Sequence, residues 1–171
     1  MQKNPLLSLV TRQTGITLYN IQVVLSTCRL DEEFAEQPIW RLLYKALRQL
    51  DCGLIESDEL RRTPAFHQTG LDNLSSPYSG KPLSKEQLVD YYLDLKARLF
   101  LYLDELDDTA LLKPYKRGTE TRLDTIFTHL RRFTYEIGRI NAFTELRSGK
   151  RPLFFDTDRN YPTDHQYFED R

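Results

Sequence analysis

Three histidines and two cysteines are the residues of this 171-residue chain best able to hold a metal or carry a proton, and their spacing serves neither well. His67 falls in a Pro- and Gly-rich stretch, His165 near the C-terminus, and His129 alone in a helical pattern. No two histidines share a helix face, and neither HExxH nor CxxC occurs. Cys28 and Cys52 lie in helical patterns without a neighbouring base or helix N-terminus. They read as small buried hydrophobes in a reducing compartment, not as nucleophiles. Carboxylates cluster as Asp31-Glu32-Glu33, Asp104-Glu105 and Asp107-Asp108, in or beside loops, where solvated caps and turns are their ordinary use. GxSxG, GxGxxG and GxxxxGK are absent, which removes a serine-hydrolase elbow and a phosphate cradle.

What remains is a polar pair on a long helix. Arg132 and Glu136 stand one turn apart within residues 123–146, near His129 and Tyr135. Tyr44, Tyr91, Tyr92, Tyr102 and Tyr135 all fall on helical patterns, with hydroxyls able to reach the rim of a core. A pocket lined by such tyrosines would suit an organic ligand.

Four helical segments must position these residues. The first covers about 6–30, with Val10, Thr14, Thr17, Ile21, Val24 and Cys28 as its inward stripe. Thr11, Thr14, Gly15 and Thr17 weaken its first half, which needs tertiary support. A polar connection at 31–36 leads to the second segment, 38–55, opened by Pro38, with Trp40 and Tyr44 on a face beside its apolar one. Residues 61–83 form a long connection rich in Pro and Gly, suited to a crossover. Ser84 and Gln87 make a capping box for the third segment, which runs to about 106. A turn at 107–118 precedes the fourth, 119–147, stopped by Gly149. Gly138 inside it costs about 1 kcal/mol relative to alanine, which leaves two readings: close approach of a neighbour, or a tolerated glycine. Residues 153–155 are expected to fold back on the bundle, and 156–171 to be a loosely held tail. The pattern is all-α: one domain over 1–171, a four-helix bundle with an irregular crossover between its second and third helices. A homodimer is the expected assembly.

Composition agrees. Hydrophobic residues make up 40% and charged residues 29%, as in a globular chain that is neither disordered nor membrane-embedded. Lys+Arg number 24 against 25 Asp+Glu, so no basic footprint marks nucleic acid or an acidic membrane as a partner. The pairs Arg61-Arg62 and Arg131-Arg132 are isolated. No run approaches ~18 apolar residues, and the first residues lack the apolar core of a leader, which makes a cytoplasmic location the expectation.

Three segments together resemble the DinB-like (DinB/YfiT-like) family. They are PIWRLLYKAL from Pro38, LSKEQLVDYYL from Leu83, and HLRRFTYEIGRIN from His129 followed by Pro152. The resemblance covers roughly residues 6–155. It implies a four-helix bundle, frequent dimers and a divalent metal held by three histidines, with some members transferring small thiols to electrophiles. By position, the implied second-helix histidine falls on Tyr44 and the two fourth-helix histidines on Arg132 and Glu136. Arginine stays protonated and offers only donors, so this looks like a degenerate metal site.

Three readings follow. The first is a metal-independent bundle with no catalytic residue, binding a small ligand between the second and fourth helices. Tyr44, Arg132 and Glu136 would form a polar cluster there, beside Trp40, Tyr135 and His129. The second is a thiol-dependent transferase or metal-dependent hydrolase using zinc or nickel on a different ligand set, such as His67 with Glu136. The third is a structural or regulatory homodimer. Elemental analysis of protein purified without chelators is expected to find no stoichiometric zinc or nickel, and such a metal near Glu136 would overturn the first reading.

Overall fold

The structure is a computed structural model that describes residues 4–56, 59–115, 119–158, 161–162 and 166–169. His165 lies outside them. The first helix, α1 (Pro5–Thr27), opens on Pro5, but the side chain of its N-cap residue Asn4 makes no capping bond. The cap comes from far downstream: the Asp108 carboxylate accepts from the backbone N–H of Leu6 (3.2 Å) and of Leu7 (2.9 Å). This is the tertiary support that the threonines and Gly15 of the first turns require. The helix stops short of residue 30, because Cys28 turns extended (φ −79°, ψ 154°).

The expected polar connection is a hairpin, β1 (Glu33–Phe34) paired antiparallel with β2 (Gln37–Pro38). Its two turn residues, Ala35 (φ 51°) and Glu36 (φ 62°), both adopt the left-handed region. Two-residue hairpin turns need that geometry and normally take it with Asn-Gly, so the sequence carries no turn signal here.

Pro38 is the N-cap of α2 (Ile39–Leu54), not its first residue. Helix α3 (Lys85–Asp104) starts on the expected box: Gln87 N–H donates to Ser84 Oγ (3.2 Å) and Ser84 N–H to Gln87 Oε1 (2.9 Å). The connection read as a turn contains a short helix, α4 (Asp108–Leu112), capped by Asp107. Helix α5 (Arg122–Ser148) begins three residues later than expected, at a second capping box made by Thr121 and Asp124. It ends at Gly149 (φ 70°), where only glycine adopts the left-handed turn without cost.

The described chain is mostly helical. Helix α2 packs on α3 and α5, and α1 packs on the same two helices. The inward stripes predicted from spacing are buried on every long helix, for example Val24, Leu47, Leu95 and Ile137. Each such side chain contributes roughly 1.5–3 kcal/mol of transfer free energy. No helix among the described residues is long and apolar enough to cross a membrane.

Phe155 folds back on α1 as expected, and the described residues Tyr161 and Tyr167 beyond it are better held than expected. The Asn20 side chain donates to Phe155 O (2.8 Å) and accepts from Phe155 N–H (2.9 Å), a two-way clamp on α1. Tyr161 stacks on Tyr19 at 3.8 Å, and the buried Tyr167 takes a hydrogen bond from Gln22 (3.0 Å).

Gly138 is the tolerated glycine of the two readings, not a point of close approach. It is exposed, and a Cβ added there would meet nothing within 4 Å. A glycine whose missing side chain matters is Gly53, where a Cβ would collide with the His129 ring, as one at Gly80 would with Tyr78. Gly138 and Gly53 therefore differ in sign. Gly138→Ala is expected to raise stability by about 0.5–1 kcal/mol, whereas Gly53→Ala lowers it, both measured by chemical denaturation.

Candidate functional site

Helix α2 presents two faces, one polar and one of mostly small or apolar residues. Residues 41, 44, 48 and 51 follow one another at three- and four-residue steps, as do 46, 49/50 and 53. The first set turns toward α3 and the crossover, the second toward α5.

On the first face, Asp51 is completely buried, and its carboxylate is a convergence point. Arg98 of α3 grips both oxygens (2.6 and 3.2 Å), and Tyr91 donates its hydroxyl at 2.8 Å. Arg48 approaches at 3.4 Å. Arg98 is 3% exposed and also donates to Asp94 (2.8 Å) and to the Leu60 carbonyl (2.9 Å). Burial, reinforced by Asp51, pushes the Tyr91 hydroxyl well above the ordinary tyrosine range, so it remains a donor.

Arg41 is 2% exposed and has no carboxylate partner among the described residues. Backbone carbonyls of the crossover solvate it instead. Its Nε donates to Leu71 O (3.1 Å), and its Nη2 to Gly70 O (3.0 Å), Asn73 O (2.8 Å) and Ser76 O (3.0 Å). One turn on, the Tyr44 hydroxyl lies 2.6 Å from Nδ1 of His67. Burial holds the Tyr44 hydroxyl protonated far above its usual range, so the two groups share a single hydrogen bond between a neutral hydroxyl and the imidazole ring.

The second face opens onto α5 as a groove of two adjoining pockets. One, of about 300 Å³, is lined by Ala46, Gln49, Leu50, Cys52, Gly53, His129, Arg132 and Phe133. The other, of about 430 Å³, is lined by Gln49, Arg131, Arg132, Tyr135 and Glu136. Gln49 and Arg132 are common to both. The His129 ring reaches into the groove against Gly53, which has no side chain to block it. Glu136 is engaged by Arg139 (3.0 Å), whose guanidinium also lies over the rings of Phe34 and Tyr135. Arg131 donates to Thr128 (3.2 Å).

Of the six residues singled out in the sequence, His129, Arg132, Tyr135 and Glu136 share this groove, and Tyr44 and Trp40 do not. The expected Tyr44–Arg132–Glu136 cluster is thus not assembled. Tyr44 is committed to His67, and Glu136 to Arg139. Trp40 lines a separate cleft of about 570 Å³ between the hairpin and the crossover, beside Tyr78. The alternative pairing of His67 with Glu136 is not formed either, for the same commitments. His129 and Glu136 are seven residues apart on one helix, about 10 Å along its axis, too far to share an ion. Among the described residues no three His, Cys, Asp or Glu side chains converge as a metal site would require.

The cysteines divide. Cys28 is buried as expected, its thiol pushed up to about 12 by desolvation. Cys52 is exposed, contrary to expectation, because it falls on the groove side of α2. Partial burial still raises its pKa, and Arg48 offsets this only in part, so at neutral pH it is a thiol rather than an activated thiolate.

Asp51, Arg98 and Arg41 escaped the sequence reading, although a signal existed for the first two. Asp51 continues the spacing of Tyr44 and Leu47, and Arg98 that of Tyr91 and Leu95. An acid and a base on two inward stripes mark a buried pair. With this geometry in hand, comparison with protein-family profiles, with curated proteins and with solved structures finds no match for the chain.

Removing one member of the pair leaves a charge buried without its partner. Arg98→Met is expected to cost about 3–5 kcal/mol in denaturant titration, and adding Asp51→Leu to recover a large part of that loss.

Proposed function

We propose that the chain is a metal-independent four-helix bundle, a divergent relative of the DinB/YfiT-like proteins, that binds a small organic molecule in the groove between α2 and α5. The bundle reading draws on the ring of contacts in which α1 and α2 each pack on both α3 and α5. The divergence rests on residue types. Where the resemblance implies imidazoles, Tyr44 is hydrogen-bonded to His67 of the crossover, Arg132 offers no lone pair, and Glu136 is held by a guanidinium.

The groove carries the functional reading. Its floor is apolar: Ala46 (3% exposed), Leu50 (1%) and Phe133 (3%) are core residues with one side turned to the opening. Polar groups stand at its rim in Gln49, His129 and Arg132. Ligand sites are commonly concave, roughly 300–1,000 Å³, mostly apolar and edged by a few polar groups that fix orientation, and this groove has those properties. Nothing in it supplies an activated nucleophile, which favours binding over covalent catalysis.

Cys52 makes the idea measurable, because it is the exposed thiol and lies in the groove wall. Screening a fragment library by ligand-observed NMR is expected to yield binders that shift the resonances of Ala46, Leu50 and Phe133 and slow alkylation of Cys52. A library in which no member does either would sink the proposal.

A further inference from the structure

We infer that the ligand of the α2–α5 groove is an organic carboxylate, seated with its apolar body on the floor and its anionic head on Arg132. The inference rests on the groove reading above and adds the chemical class of the occupant.

Charge bookkeeping along the lining leads there. The groove's charged residues are Arg131, Arg132 and Glu136. The carboxylate of Glu136 is paired with Arg139, and no ion pair joins it to Arg132. Arg132 has no hydrogen bond or ion pair to any described residue, and neither does Gln49. Both side chains line both pockets, so they mark the junction where the apolar floor gives way to the rim. A planar guanidinium fork matches the two oxygens of a carboxylate, and the Gln49 amide can supply a further donor to one of them. A neutral ligand would leave the fork with water alone, and a cationic one would meet Arg131 and Arg132 without a free acid to receive it.

The position of Arg132 narrows the anion further. It lies in the middle of α5 (Arg122–Ser148), and Gln49 is more than two turns into α2 (Ile39–Leu54). Among the described residues no helix N-terminus lines the groove, so the cradle of backbone N–H groups that a phosphate usually takes is not part of its lining. One fork and one amide suit a single carboxylate.

The test uses matched probes, phenylpropionate and its neutral amide, on the whole protein and on the Arg132→Gln variant, whose side chain is exposed and whose fold is checked by circular dichroism. Titration is followed by calorimetry and by protection of Cys52 from alkylation. Expected is a preference for the acid of about tenfold or more, abolished by Arg132→Gln with amide binding unchanged. Equal binding of acid and amide, or a preference that survives Arg132→Gln, overturns the carboxylate inference, while protection of Cys52 by both probes keeps the groove reading standing. If neither probe binds at millimolar concentration the inference also falls, and the fragment screen then judges the groove independently.

Discussion

The buried carboxylate of Asp51 is the constraint around which this structure is organised. A desolvated charge is tolerated only when its oxygens are surrounded by donors, and Asp51 collects them from different parts of the chain: Arg98 and Tyr91 from α3, Arg48 from its own helix. Arg98 is itself buried and spends a further donor on Leu60 O, at the start of the crossover. The charge is therefore satisfied only when α2, α3 and the first residues of the crossover are in place together. Such a network need not add much net stability over an apolar replacement, since desolvation offsets most of the Coulomb gain. It does penalise any arrangement in which α3 slides or rotates against α2, because every such state strands a charge.

The rest of the crossover is fixed by the same face of α2. Arg41 binds the carbonyls of residues 70, 71, 73 and 76, Tyr44 holds His67, and the fully buried Leu71 anchors the loop in the core. Gly70, at φ 84°, supplies the left-handed backbone that presents its carbonyl to Arg41. A long segment of turns thus acquires a cationic hub in place of regular hydrogen bonding. The consequence reaches the functional question. With Arg41, Tyr44, Arg48 and Asp51 all committed to the crossover and α3, the polar chemistry left for a ligand is on the opposite side of the helix.

This division explains what the sequence could and could not reveal. Helical spacing exposed the inward stripes, and the Ser84–Gln87 box and Gly149 marked their ends, because those signals are local. The hairpin was illegible because Ala35 and Glu36 are not turn formers, and the cap of α1 because Asp108 reaches it from another helix. For the candidate site, the residues on α5 were placed correctly relative to one another, since His129, Arg132 and Glu136 follow one helix. Tyr44 joins them only through the position that the family resemblance implies, whereas the rotation of α2 decides which of its faces meets α5. At about 100° per residue, Tyr44 and Gln49 are separated by well over a quarter turn, enough to put one in the crossover and the other in the groove.

The groove itself exists because that second face is small. Ala46 and Gly53 lie seven residues apart on it, two turns along one line, and both border the opening. Larger side chains there would meet Phe133 and the His129 ring and close the space, as the collision of a Cβ at Gly53 with His129 makes plain. Helices pressed together only for stability would be expected to fill such a seam, since unfilled volume forfeits dispersion contacts. Here the seam stays open beside a guanidinium that pairs with no carboxylate among the described residues, while the acid on the same face, Glu136, is bound by Arg139. The combination of missing bulk and unspent charge on facing helices is more economically explained by an occupant than by packing, and it is the physical reason for locating function between α2 and α5.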